Sequence, residues 1–180
     1  ANGLGYRSPQ FAHLPYVAEP GGTAKLSKRK LTKYLKNREF KNLFDHGTAI
    51  IERMGQVYDA ELFNPVLVDF YRDVGYLPAA VLNYLLLLGW SLDDKTEVFS
   101  RESMIESFSL SRVSKSPACF DPQKLAAFQD RQMRELPRKQ KVALVLPYLQ
   151  EAGWVSRPAP CECAAQLSRI LAAAGDRIKV

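Results

Sequence analysis

The sequence predicts a mainly α-helical fold with one short strand near its N-terminus. Apolar residues recur at helical spacing along most of the chain, and strand-like patterning is confined to the first twenty residues. Two pairs, Asn64-Pro65 and Asp121-Pro122, each combine a helix-capping side chain with proline at the first helical position. With 180 residues, 47% hydrophobic and 24% charged, the chain has the composition of one folded domain or two small ones.

The N-terminal part predicts a strand, a loop and a helix, in that order. Residues 11–17 form a short apolar run that Pro15 interrupts, as expected of a buried strand. Residues 19–23 contain a Pro-Gly-Gly sequence that favours a flexible loop. A helix that Gly47 would end is then predicted by five apolar residues at helical spacing: Leu31, Tyr34, Leu35, Leu43 and Phe44.

The rest of the chain predicts a series of helices separated by glycine and proline. Residues 79–88 are apolar on nearly all sides, so we expect this helix in the core, with Tyr71, Tyr76, Tyr84 and Trp90 packed nearby. Pro147 should kink or divide one helix. The predicted helices cover about residues 64–75, 78–88, 100–108, 121–136, 138–152 and 161–174, with a linker at 157–160.

Several classes of protein are disfavoured by the composition. The longest apolar run, around residues 85–88, is far too short to cross a bilayer, and no secretory signal is visible. Three cysteines make a disulfide framework improbable, and a cytoplasmic location fits best. Cys161 and Cys163 have no second pair of ligands nearby, so we expect a surface helix start there and no metal site.

Positive charge is concentrated in residues 25–41, which we call the cationic segment. It holds eight basic residues and one acid, Glu39, and so carries +7, whereas the whole chain carries +6. Such a segment suits phosphate on a nucleotide or along a nucleic acid, although a solvated helix face is the alternative. Two lysines at its start, Lys25 and Lys28, are spaced to close over a polyphosphate, although a basic turn before a helix has the same pattern.

Three ordered blocks resemble one enzyme family. Residues 11–15, the Pro-Gly loop and Lys-Leu-Ser-Lys-Arg at 25–29 are similar to the last nucleotide-fold strand and KMSKS-type loop of class I aminoacyl-tRNA synthetases. Residues 71–91, with Tyr-Arg-Asp-Val-Gly-Tyr-Leu-Pro at their start, look like the helix that follows in bacterial glutamyl-tRNA synthetases, and residues 108–110 and 113–121 resemble the next block. The resemblance covers about residues 8–153, with one gap.

The resemblance implies three regions and a longer parent enzyme. Residues 1–29 would end the catalytic nucleotide-binding domain with its KMSKS-type loop. Residues 30–120 would form the helical stem-contact region, with an insertion at about 31–63, and residues 121–180 would begin a truncated helical anticodon-binding domain. The family's His-Ile-Gly-His-type element does not occur in this sequence, so we expect a fragment that does not activate an amino acid alone.

The resemblance also implies roles for individual residues. Lys28 would be catalytic, within an ATP-binding loop made of Lys25, Leu26, Ser27, Lys28 and Arg29. The residues expected to contact tRNA are Lys30, Lys33, Arg112, Lys115 and Ser116. The parent would use ATP, Mg²⁺, glutamate and the glutamate tRNA, whereas the fragment would hold no cofactor. Mechanistically, such an enzyme works by positioning and electrostatic stabilisation.

Three alternative functions remain open from the sequence. Residues 28–31 (Lys-Arg-Lys-Leu) resemble the glutaminyl branch of the family, although the downstream helix favours the glutamyl one. A stand-alone RNA-binding module derived from a synthetase would use the cationic segment and keep the ATP loop as a relic. A helical protein-interaction module would show no affinity for RNA at low salt.

Overall fold

The computed structural model describes residue 5 and residues 11–59, 61–93 and 95–178. The first residues of the predicted region 1–29 and the last two of 121–180 therefore lie outside the described part. The predicted mainly helical fold is confirmed. The elements, in chain order, are β1 (Val17–Ala18), α1 (Leu31–Tyr34), α2 (Arg38–Arg53), α3 (Val68–Asp73), α4 (Pro78–Leu87), α5 (Arg101–Ser107), β2 (Ala118–Cys119), α6 (Pro122–Glu135), α7 (Arg138–Glu151) and α8 (Cys163–Ala174).

The predicted strand is much shorter than residues 11–17, because only Val17 and Ala18 form a ladder. Pro15 has no N–H to donate, and the residues before it are largely exposed. β1 pairs in parallel with β2, a strand that the sequence did not predict, with Val17 opposite Ala118. A two-residue strand is too short for any alternating pattern to reveal it.

The main core forms where α4 packs against α6, with α2 and α3 beside them. Tyr84, Phe40, Phe70 and Leu125 are almost fully inaccessible to solvent. The buried Gln129 amide of α6 accepts a hydrogen bond of 2.8 Å from the Leu77 backbone N–H, which joins the start of α4 to α6. The prediction that Tyr71, Tyr76, Tyr84 and Trp90 are core residues is confirmed.

Gly47 does not end a helix, so that prediction was wrong. The first predicted helix is instead broken earlier, at Asn37, whose side chain accepts hydrogen bonds from the N–H groups of the first turn of α2. α2 then runs through Gly47 to Arg53. A Cβ at position 47 would lie 2.6 Å from Cζ of Phe70, so the glycine permits close packing of α2 against α3.

The helix predicted from Asn64-Pro65 begins later, at Val68. The Asn64 side chain accepts a hydrogen bond of 3.0 Å from Val66 N–H, so it forms a turn before the helix. Pro65 is fully buried, and its carbonyl accepts a 2.5 Å hydrogen bond from the Tyr71 hydroxyl. Burial raises the pKa of Tyr71 well above its ordinary value.

α7 and α8 form a second, smaller cluster around Val142, Leu167 and Leu171. Pro147 does not divide α7, which is continuous over Arg138–Glu151. The last helix begins at Cys163 instead of Cys161, and Cys163 is buried in the cluster. The expectation that both cysteines lie at a surface helix start was therefore wrong for Cys163.

α4 packs in the core, as predicted, but one side of it is open to solvent. Leu82 and Leu85 are nearly half exposed. They line a groove of about 730 Å³ whose lining includes one charged residue, Arg101. The buried side of α4 is the one that carries Ala80 and Tyr84 and faces α6.

Candidate functional site

The start of the cationic segment folds back along β1. Lys25 forms an antiparallel bridge with Ala18, and Leu26 N–H donates a 2.8 Å hydrogen bond to the Val17 carbonyl. The intervening loop turns at Gly21, whose φ of +69° is in the left-handed region that favours glycine. β1 therefore lies between residues 25–26 on one edge and β2 on the other.

The residues that follow are anchored through their backbone. Ser27 N–H donates a 3.0 Å hydrogen bond to the hydroxyl of the buried Tyr34. The carbonyl of Lys28 accepts a 2.9 Å hydrogen bond from the side-chain amide of Asn64. Residues Lys28–Lys30 form a 3₁₀ turn that leads into α1. Hydrogen bonds therefore hold the backbone at each of the positions 26–28.

The side chains of this loop, in contrast, face solvent. Lys25, Lys28 and Arg29 are exposed, and Leu26 and Ser27 are half-buried. Among the described residues, neither Lys25 nor Lys28 has an ion-pair partner. Two ammonium groups on an anchored backbone can approach a polyphosphate without first breaking an ion pair. The structure thus places all five predicted ATP-binding residues together.

Lys30 and Lys33 differ from these residues, because both contact Glu19. Lys33 forms an ion pair and hydrogen bond with Oε1 of Glu19, and Nζ of Lys30 lies 3.9 Å from Oε2. The hydrogen bond from Lys33 lowers the pKa of the Glu19 carboxyl below its ordinary value, and the positive charges of Lys33 and Lys30 act in the same direction. Farther along the segment, Lys41 pairs with Asp45.

The other predicted tRNA-contacting residues lie just before β2. Arg112 ends a 3₁₀ turn, Leu110–Arg112, and its guanidinium donates a hydrogen bond to the Leu92 carbonyl. Lys115 and Ser116 are exposed on a short loop, where Ser116 N–H donates a 3.2 Å hydrogen bond to the Ser114 hydroxyl. This loop presents one cation and several hydroxyl groups to solvent.

The strand register brings the two predicted surfaces to one end of β1. Since β2 is parallel to β1, residues 114–117 enter it at the end of β1 nearest Tyr16. Since residues 25–26 run antiparallel to β1, Ser27 and Lys28 follow at that same end. Strands in such an arrangement are about 5 Å apart. The predicted ATP-binding loop and the loop that carries Lys115 and Ser116 therefore lie at the same end of β1.

The residues that anchor this loop were not predicted from the sequence. Glu19 was assigned to a flexible loop, and Asn64 to a helix cap. A glutamate that lies near several lysines in sequence is too common to indicate an anchor. Lys28 and Asn64 are 36 positions apart, so no local sequence pattern relates them.

The described part of the chain lacks two features that would indicate other functions. It holds no cluster of three or more His, Cys, Asp or Glu side chains that could bind a metal ion. Its helices are all too short or too polar to span a membrane. The 730 Å³ groove beside α4 is almost entirely apolar, so it does not suit a polyphosphate.

Comparisons with known proteins identify related sequences and structures. The family model described as tRNA synthetases class I (E and Q), catalytic domain, matches residues 62–127. A glutamate–tRNA ligase of Moorella thermoacetica is 35% identical over 176 residues, which are 98% of this chain and 29% of that protein. A glutamate–tRNA ligase of Desulforudis audaxviator is 35% identical over 178 residues, 98% of this chain and 28% of that protein.

Solved structures show the same relationship. A glutamate tRNA ligase from Elizabethkingia meningosepticum, crystallised with its amino acid, superposes with a TM-score of 0.63 at 26% identity, covering 99% of this chain and 31% of that one. The chain thus spans less than a third of the length of the relatives it matches. From its sequence and its fold, the chain belongs to the class I tRNA synthetases of the glutamate and glutamine group.

Proposed function

We propose that this chain supplies the phosphate-binding loop and tRNA-contacting helices of a glutamate–tRNA ligase. The observation that carries the proposal is the exposed, unpaired state of Lys25 and Lys28 among the described residues, on a backbone anchored by Tyr34 and Asn64. The most similar relatives are named glutamate–tRNA ligases, which favours glutamate over glutamine. Such an enzyme joins glutamate to the AMP part of ATP, releasing pyrophosphate, and then transfers the glutamyl group to tRNA, releasing AMP.

In this reaction Lys28 would act through its charge. Attack of the glutamate carboxylate on the α-phosphate increases negative charge on the phosphate oxygens. An ammonium group held next to them stabilises that charge more in the transition state than in the ground state. Lys25 and Arg29 would bind the same polyphosphate, and Ser27 would add hydrogen bonds. No covalent enzyme intermediate is needed.

The tRNA would lie across the neighbouring surface, where Arg112, Lys115 and Ser116 are accessible. Lysine and arginine contacts to phosphate fix the position of a nucleic acid without reading its sequence. We propose Lys30 and Lys33 as further phosphate contacts, although Glu19 neutralises part of their charge. Mg²⁺ commonly accompanies ATP, but the described residues include no cluster that fits a metal ion, so we assign no step to it.

The test is ATP–pyrophosphate exchange by the ligase that contains this segment. Replacing Lys28 by alanine should lower kcat about 10²- to 10³-fold, as for loss of one transition-state contact, while KM for glutamate changes little. Lys36→Ala is the matched control, since it removes an exposed lysine of the same segment outside the loop. Equal effects of the two substitutions, or equal changes in kcat and KM, would contradict the proposed role.

A further inference from the structure

Glu19 is a buried carboxylate directly beneath a strongly cationic segment. It is the residue after β1, and only 6% of its surface is exposed. Glutamate is rarely this buried unless it is paired, because removing a carboxylate from water is costly. The sequence places it in a Pro-Gly loop, where an exposed and mobile side chain would be the ordinary outcome.

The contacts of Glu19 connect three parts of the site. Its backbone N–H donates a 2.8 Å hydrogen bond to the Ala24 carbonyl, and its own carbonyl accepts one of 3.0 Å from Gly22. Its carboxylate pairs with Lys33 of α1 and lies near Lys30 of the 3₁₀ turn. One residue therefore joins the end of β1, the turn before Lys25 and the helical part of the cationic segment.

The second carboxylate oxygen, Oε2, is buried and has no hydrogen-bond partner among the described residues. The Lys30 ammonium lies 3.9 Å from it, which is beyond hydrogen-bonding distance. The negative charge of Glu19 is thus balanced by Lys30 and Lys33 together. If the carboxylate lost its charge, Lys30 and Lys33 would lose their ion-pair partner, and the positive charges of the cationic segment would repel one another.

This arrangement separates the cations of the segment into two groups. Lys30 and Lys33 are exposed but lie within ion-pair distance of Glu19. Lys25, Lys28 and Arg29 are exposed and have no ion-pair partner among the described residues. Mutual repulsion among five cations would favour an open, variable loop, whereas a buried counter-charge favours one conformation.

We propose that Glu19 is a positioning residue that holds the loop of residues 25–29 in the conformation that presents Lys28 to phosphate. It acts through Lys30 and Lys33, not through contact with the reacting atoms. Its effect on catalysis rests on the function proposed above, whereas its effect on the loop does not.

The first measurement is amide hydrogen exchange in the full 180-residue chain. Glu19→Gln keeps the shape of the side chain and removes its charge. It should raise the exchange rate of the Leu26 and Ser27 amides about tenfold or more, and leave the amides of α6 unchanged. Lys33→Gln should have the same local effect. The control is Asp45→Asn, which removes a carboxylate paired with Lys41 on the exposed face of α2.

The second measurement is ATP–pyrophosphate exchange by the ligase that contains this segment. Glu19→Gln should lower kcat about tenfold or more with little change in KM for glutamate, and Asp45→Asn should change neither.

If the Leu26 and Ser27 amides exchange equally in Glu19→Gln and Asp45→Asn, the inference is wrong. If exchange rises but neither Glu19→Gln nor Lys28→Ala affects kcat, the positioning is correct and the proposed function fails. If Lys28→Ala alone lowers kcat, the catalytic part of the inference is overturned.

Discussion

The side-chain amide of Asn64 donates a 2.9 Å hydrogen bond to the backbone carbonyl of Lys28, 36 positions earlier in the chain. Asn64 is 3% exposed and belongs to the region that matches the family model, whereas Lys28 lies outside that region. The same amide accepts a hydrogen bond from Val66 N–H. One buried side chain therefore joins the loop to the helical body, and this link can be tested.

Asn64→Ala should destabilise the chain by about 1–3 kcal/mol, because both the Lys28 carbonyl and the Val66 N–H lose a partner. Asn64→Asp keeps an acceptor for Val66 but replaces the donor to Lys28 with a buried carboxylate oxygen, which repels the Lys28 carbonyl. Urea unfolding should rank wild type above both variants. If Asn64→Asp were as stable as wild type, the bond to Lys28 would contribute nothing.

Gly47→Ala should reduce stability, although alanine ordinarily favours a helix over glycine by about 0.5–1 kcal/mol. The new Cβ would lie 2.6 Å from Cζ of the fully buried Phe70 and 3.0 Å from Val74. Overpacking of this kind costs about 1–3 kcal/mol, which exceeds the gain. Urea unfolding measures the difference. As a control, Glu52→Ala on the exposed face of α2 should change stability by less than about 0.5 kcal/mol, and a stabilising Gly47→Ala would disprove the close packing.

Stability should fall in alkaline solution. Burial raises the pKa of Tyr76 and of Tyr84 to about 12, above their ordinary value of 10. The folded chain therefore favours the protonated phenols. This contribution is complete below pH 10 and is lost as the pH rises through about 12. Free energies of unfolding measured across this range should decline, and Tyr76→Phe should make the decline shallower. An equally steep decline in that variant would contradict the prediction.

Binding of tRNA to the chain should weaken steeply with salt, because phosphate contacts release counterions. Lys115→Ala should reduce the slope of log affinity against log salt by about one, since the exposed ammonium is lost. Lys41→Ala is the matched control, because its ammonium is already paired with Asp45. A gel-shift titration gives both slopes. Absence of binding at low salt would instead favour the protein-interaction module.

The starts of α5 and α6 were predictable because their signals are local. Asp121 accepts hydrogen bonds from the N–H groups of Gln123 and Lys124, and Ser100 accepts one from Ser103, as the sequence indicates. The exposure of Lys25 and Lys28 also follows from sequence, since lysine is seldom fully buried unless it is paired.

The features that the sequence did not predict depend on distant residues. Gly47 was interpreted as a helix end because glycine commonly ends helices, but its role depends on Phe70, which lies 23 positions away. The same is true of Asn64 with Lys28. Cys163 was assigned to a surface helix start, whereas its burial depends on packing against α7. Each error came from a contact between residues that are far apart in sequence, which local sequence patterns do not reveal.

The pairing of Val17 with Ala118 has a consequence for how the chain folds. These residues are about a hundred positions apart, so their two-residue ladder cannot form until most of the intervening chain is compact. The α7–α8 and α4–α6 contacts join segments much closer in sequence. We therefore expect the helices to assemble early and the β1–β2 ladder to close late. Residues 25–26 are at most nine positions from their partners on the other edge of β1, so this pairing does not have to wait for β2.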